Sequence, residues 1–129
     1  MEHMLLFLAI IAAGTGGVRH CAPASIGPGS LHRGGTAGAT CLLSSFQNGC
    51  RAADYTLSSF GVDTVRARKF QVERRNGRCA VLVTDTNRVV PQPPRVLARR
   101  TCSRVHRLNG DMVADRCTPR ETISLTKIG

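Results

Sequence analysis

Thr64–Val89 reads TVRARKFQVERRNGRCAVLVTDTNRV, and the two residues at its centre, Asn76-Gly77, decide how the chain is organised. Asn-Gly between two runs of strand formers is the composition of a two-residue hairpin turn, because both turn positions need a positive φ. Such a turn fixes the register of the flanking strands, Thr64–Arg75 and Cys79–Val89. Val72 then faces Val81, Phe70 faces Val83 and Arg68 faces Asp85. Two apolar pairs and one charge pair fall on a single face, which an accidental register would not produce. Val65 and Ala67 have the other parity, which admits a bulge near Arg68–Lys69.

A second Asn-Gly, Asn109-Gly110, sits between Arg95–Leu108 and Asp111–Cys117. By the same logic Arg104 faces Asp115 and Cys102 faces Cys117. In a regular ladder this pair falls at a hydrogen-bonded position with Cα atoms ~5.5 Å apart. That spacing permits a disulfide, although each thiol could instead turn toward a helix. Between the hairpins, Val90-Pro91-Gln92-Pro93-Pro94 cannot be a central strand, since three prolines remove ladder donors. It reads as a stiff connection. Thr122–Ile128 alternates weakly and is expected to be a final strand.

Working toward the N-terminus, Tyr55–Phe60 reads as a short strand stopped by Gly61. Thr40 can cap a helix from Cys41 to about Ala53, with Leu42, Phe46, Gly49, Cys50 and Ala53 on one face. Residues 22–40 hold five Gly and two Pro without an apolar period, as a flexible arm would. The expected fold is therefore α+β: one N-terminal helix packed on an antiparallel sheet of about five strands, a helix-then-meander roll. Cys79 shares the inward parity of Val81, and Cys50 lies on the inward helix face. Of the 15 connectivities open to six cysteines, Cys50–Cys79, Cys102–Cys117 and, by elimination, Cys21–Cys41 rank first.

Met4–Ala13 reads MLLFLAIIAA, the length of a secretory signal core and too short to cross a bilayer. The organisation expected is a signal peptide over 1–20, the arm over 21–40 and one α+β domain over 41–129. Disulfides after an export signal agree with an oxidising compartment, so the protein is expected to be secreted or held in the cell envelope or periplasm. About 110 residues remain, enough for one core, which the disulfides reinforce. With four Phe, one Tyr and no Trp, that core must be mostly aliphatic.

The cysteines and histidines do not suggest metal, because no Cys-x-x-Cys occurs and only His20 and His106 lie close to a cysteine. No nucleophile elbow, phosphate loop or dinucleotide fingerprint is present. His32 falls in the arm, and His106 reads as a rim residue near a hairpin tip. Asp85 and Asp115 each face an arginine and read as structural ion pairs, which leaves no carboxylate or His pair for acid–base work. Neither a catalytic residue, a cofactor nor a metal is expected.

Charge carries the remaining signal. The net charge is +10, and Arg51–Arg107 holds 13 basic against 4 acidic residues. Strand alternation sends Lys69, Arg75, Arg95, Arg99 and Arg107 to the side opposite the core. Arginine suits bidentate contact with phosphate, sulfate or carboxylate. No aromatic residue interleaves these cations, so stacking on bases has no support. Leu82 and Leu97 share the outward parity.

Several short motifs resemble a group of small secreted bacterial disulfide-containing proteins of unknown function. They are Cys41-x8-Cys50-Arg51-x-Ala53, Gly61-Val62-Asp63-Thr64, Asn76-Gly77-Arg78-Cys79, Pro93-Pro94-Arg95 and Thr101-Cys102. The resemblance spans Cys41–Cys117 and implies no activity and no catalytic residues. A helix followed by an antiparallel sheet is also the layout of cystatin-like domains. Their Gln-x-Val-x-Gly inhibitory loop is missing, since the first hairpin tip is Arg75-Asn76-Gly77-Arg78. Two functions follow as expectations. The first is a non-catalytic cationic binding module for an anionic surface or polymer. The alternative is a secreted protein–protein module, inhibitor-like or effector-like, using the Pro91–Pro94 loop and the leucines.

Overall fold

The structure is a computed structural model and describes residues 17–27 and 32–128. The apolar stretch Met4–Ala13 lies outside the described residues. Both Asn-Gly turns form. Asn76 and Gly77 have φ of 53° and 76°, and Asn109 and Gly110 have 49° and 79°, the left-handed geometry the turn demands. Strand β5 (Thr64–Arg75) pairs with β6 (Arg78–Val89) in the expected register, Val72 on Val81, Phe70 on Val83 and Arg68 on Asp85. Strand β7 (Arg95–Leu108) pairs with β8 (Asp111–Thr118), with Cys102 on Cys117 and Arg104 on Asp115. The Cys102 and Cys117 Cα atoms are 3.8 Å apart, closer than a regular ladder gives. The ladder skips Ser103 and Arg116 beside them, and Arg116 has a φ of 52°.

The expected class, one helix on a five-stranded antiparallel sheet, is wrong. The described residues are mostly sheet (58% strand) with one short helix, and the sheet is a curled half-barrel. Nine strands among them contribute. Three very short ones precede the helix: β1 (Arg19–His20), β2 (Ala24–Ile26) and β3 (His32–Arg33). Both β1 and β2 run parallel to β4 (Ala53–Phe60), and β3 folds back on β2. Helix α1 (Ala37–Gln47) is thus a crossover between parallel strands and not a leading element. Strand β9 (Ile123–Ser124) follows β8. Strands of two or three residues among Gly and Pro carry no readable alternation, so sequence 22–40 reads as an arm.

The helix begins four residues before the expected start and ends at Gln47, where Gly49 takes a φ of 88° and turns the chain. Thr36, not Thr40, is the N-cap. Its early turn packs tightly: a Cβ on Gly38 would lie 1.8 Å from the Ala22 carbonyl oxygen and 2.7 Å from the Tyr55 ring. Ala39, Leu42 and Leu43 face the sheet and are buried. The sheet wraps around the helix, which touches β4, β5, β6, β7 and β8. Tyr55 and Phe70 stack at 5.8 Å beneath it. The C-terminal stretch closes the open side. Ile123 and Leu125 are buried, and the Leu125 carbonyl accepts a hydrogen bond from the Tyr55 hydroxyl at 2.9 Å.

Three disulfides, Cys21–Cys41, Cys50–Cys79 and Cys102–Cys117, staple the structure. The first ties the segment after β1 to the helix, and the second ties the helix end to the first hairpin. Three bonds are consistent with an oxidising compartment. No helix among the described residues is long and apolar enough to cross a membrane.

Candidate functional site

The register between β6 and β7 decides where the basic residues go. It shifts at Asp85/Thr86: Asp85 opposes Ala98, whereas Thr86 opposes Val96, leaving Leu97 as the extra residue. The bulge lies here and not near Arg68–Lys69, where pairing is continuous. One extra residue moves every later side chain to the other face. Arg99 opposes Thr84 on the outer face, but Arg95 opposes Asn87, which has the parity of core-facing Asp85. The five cations expected on one outer face are therefore divided.

Lys69 and Arg99 stay together. They lie in one row, Thr56–Lys69–Thr84–Arg99, across β4, β5, β6 and β7. Two strand spacings separate them, roughly 10 Å of backbone. They flank a shallow groove of about 450 Å³ floored by Ala67, Leu82, Thr84 and Thr86. Arg75 sits at the first hairpin tip and is bound to Glu73. Arg107 opposes Met112 and lines a separate cavity of about 420 Å³ with Thr36, Thr40, Asp111 and Lys127. Arg95 joins Arg66 in the row Ser59–Arg66–Asn87–Arg95 near the opposite end of the sheet.

Most of the described acidic groups have a partner within the protein. Asp85, 12% exposed, receives Arg68 Nε at 2.8 Å, Arg68 Nη2 at 3.1 Å and Arg100 Nη2 at 2.8 Å. Burial alone would raise its carboxyl, but the hydrogen bonds and charges of Arg68 and Arg100 hold it below the usual range. Arg100 also reaches Glu121 at 3.4 Å, and its buried Nε has no hydrogen-bond partner among the described residues. Arg68 additionally donates to the carbonyls of Ser124 and Lys127, so this cluster holds the C-terminal stretch against β5.

Asp115 accepts Arg104 Nε at 2.7 Å and Nη2 at 2.6 Å, and meets His106 Nε2 at 3.0 Å. The Arg104 hydrogen bond, outweighing burial and helped by His106, holds its carboxyl far below the usual range. His106 is thus tied to a carboxylate rather than standing as a rim residue. Asp111 accepts Ser124 and Thr126 hydroxyls and the Met112 amide, and Asp54 meets His20. By contrast, among the described residues only Arg68, Arg75, Arg100 and Arg104 of the 18 Lys and Arg meet a carboxylate.

Sequence reasoning missed one concentration of side chains. The β4–β5 and β6–β7 loops lie side by side, joined by a hydrogen bond from the Val90 amide to the Asp63 carbonyl at 2.9 Å. Phe60, Val62, Val89, Val90, Val96 and Leu97, six large apolar residues, are exposed at this end. The available signal was Phe60-Gly-Val62 followed, one hairpin later, by Val89-Val90-Pro91. Reading it needed the pairing of β4 with β5, which no turn motif announces.

Comparison with known protein families, characterised proteins and solved structures finds no match. Among the described residues no group of three His, Cys, Asp or Glu side chains gathers that could hold a metal.

Proposed function

We propose that this chain is an exported, cationic binding module, secreted or held at the cell envelope, whose partner is an anionic surface or polymer. One observation carries the reading: every described carboxylate but Asp63 has a partner within the protein, whereas most of the Lys and Arg meet none of these carboxylates. Such a surface attracts polyanions over a Debye length and binds them in a salt-dependent way. Lys69 and Arg99, with the Thr84 and Thr86 hydroxyls between and beside them, offer two cations and hydrogen-bonding groups to one anionic strand.

The test is retention on immobilised heparin, wall polymer and nucleic acid at physiological salt, followed by a salt gradient. The wild-type chain is expected to be retained on at least one, and Lys69→Ser with Arg99→Ser to elute earlier. Flow-through on all three removes the reading.

A further inference from the structure

We infer that the end of the sheet formed by the β4–β5 and β6–β7 loops docks on an anionic lipid bilayer. The inference rests on the anionic-partner reading and names the surface. The physical warrant is two chemistries at one place. Phe60 ends β4 with Val62 in the loop after it, Val89 ends β6 with Val90 after it, and register puts them at one end of the sheet: Phe60 opposes Val65, and the neighbouring Thr64 opposes Val89. Val62 is fully exposed at the tip, and Val96 and Leu97 extend the apolar surface to the start of β7. A single exposed valine is ordinary, but six large apolar residues exposed at one end are not.

Arginines surround that end. Arg66, Arg88 and Arg95 are exposed, adjoin it through the pairs Val65–Arg88, Arg66–Asn87 and Asn87–Arg95, and have no carboxylate partner among the described residues. Arg88 spends its Nε on the Gln92 carbonyl, which fixes the proline loop, and keeps its charge. Asp63 is the single acid in the two loops.

A soluble polyanion would satisfy the arginines and leave the six apolar side chains in water. A bilayer of anionic phospholipid satisfies both, because apolar side chains enter the headgroup–acyl boundary while the cations stay among phosphates. The β6–β7 bulge takes part directly. By adding Leu97 it exposes one more apolar residue and turns Arg95 from the groove of Lys69 and Arg99 toward this end.

The purified, disulfide-bonded chain is sedimented with phosphatidylcholine vesicles that contain, or lack, one third phosphatidylglycerol. Binding is expected with phosphatidylglycerol, little without it. Val62→Asp is expected to weaken binding about tenfold or more, the order expected for an apolar anchor replaced by a charge at the interface. Its elution from heparin stays unchanged if Lys69 and Arg99 hold that ligand. The chain has no Trp, so Val62→Trp gives a lone reporter. Its emission is expected to shift blue on anionic vesicles and to be quenched by acyl-brominated lipid. Retention on heparin without vesicle binding overturns the lipid site and leaves the anionic-partner reading standing. Loss of both overturns both. Equal binding to the two vesicle types, or a protein that binds this end of the molecule and no lipid, also overturns the inference.

Discussion

Replacing Asp85 by Asn removes the one buried anion between two buried guanidinium groups. Arg68 is 12% exposed and Arg100 7%, so water cannot take the place of the lost charge without opening the structure. Three charge-assisted hydrogen bonds, at 2.8, 3.1 and 2.8 Å, end on this carboxylate. Removing one partner of such a buried cluster costs about 3–5 kcal/mol, most of it from the stranded charge. Glu121 stays near Arg100, and Arg68 keeps two carbonyl acceptors, which puts the expectation at the lower end, about 3 kcal/mol. Against a total stability of roughly 5–15 kcal/mol this is a large share. Urea unfolding followed by far-UV circular dichroism, with the disulfides oxidised, measures it. The midpoint is expected to fall by roughly 1–3 M, given slopes of about 1–3 kcal/mol per M. Asp115→Asn is the control: Arg104 is 40% exposed and can return to water, so its midpoint should fall less. Equal midpoints for the two variants would refute the reasoning. Replacing Arg68, Asp85 and Arg100 together by Met, Leu and Met should cost less than Asp85→Asn alone.

Acid should act through the same groups. Asp85, Asp111 and Asp115 all have folded values below the ordinary carboxylate range. Their contribution is complete above about pH 4, the unfolded value, and is lost as pH falls toward the folded ones. A melting temperature that stays flat below pH 4 would contradict this. Burial pushes the Tyr55 hydroxyl up to about 12, and the chain has no second tyrosine, so absorbance at the phenolate band follows this one group. It should titrate near 12 in the folded chain, with stability declining once pH passes the unfolded value of about 10. A folded-state titration at that lower value would mean the hydroxyl is solvated. Gly38→Ala should destabilise by about 1–3 kcal/mol through the Ala22 and Tyr55 contacts. At an open helix position the same change would stabilise, so the sign of the midpoint shift is the test. Substituting Cys102 and Cys117 together by Ala should cost ~3 kcal/mol, the chain-entropy value for a span of 15 residues; an unchanged midpoint would refute it.

What could be read from sequence was what local turn chemistry dictates. Asn76-Gly77 and Asn109-Gly110 leave one comfortable backbone geometry, and from it follow the register, the inward Val72, Val81 and Val83, and the Arg68–Asp85 and Arg104–Asp115 pairs. The N-terminal strands were illegible because their pairing is not local. Ala24–Ile26 joins the sheet through Leu57–Ser59, more than thirty residues later, and its near partner His32–Arg33 is only two residues long. The bulge was illegible for a different reason. Arg95 and Arg99 have equal parity along the chain, and nothing in Arg95-Val96-Leu97-Ala98 marks Leu97 as the residue that goes unpaired. That one residue divides the basic face. The apolar loop end escaped notice because the strand Tyr55–Phe60 was read without a partner; paired with Thr64–Arg75, it carries Phe60 to the same end as Val89.

The outermost strands of the half-barrel have a consequence of their own. The path of paired strands begins at β3 and finishes at β9, and each is two residues long. On the β9 side the stub pairs only with Val113 and Ala114 of β8, so among the described residues Asp115–Thr118 borders no strand on its outer side. Long unpaired edges are templates for aggregation and strand exchange, and stubs are among the devices that blunt them. The longest strands, β5, β6 and β7, are each flanked on both sides by others. Self-association by extending the sheet would therefore have to run along the uncovered part of β8, since β5, β6 and β7 offer no free edge.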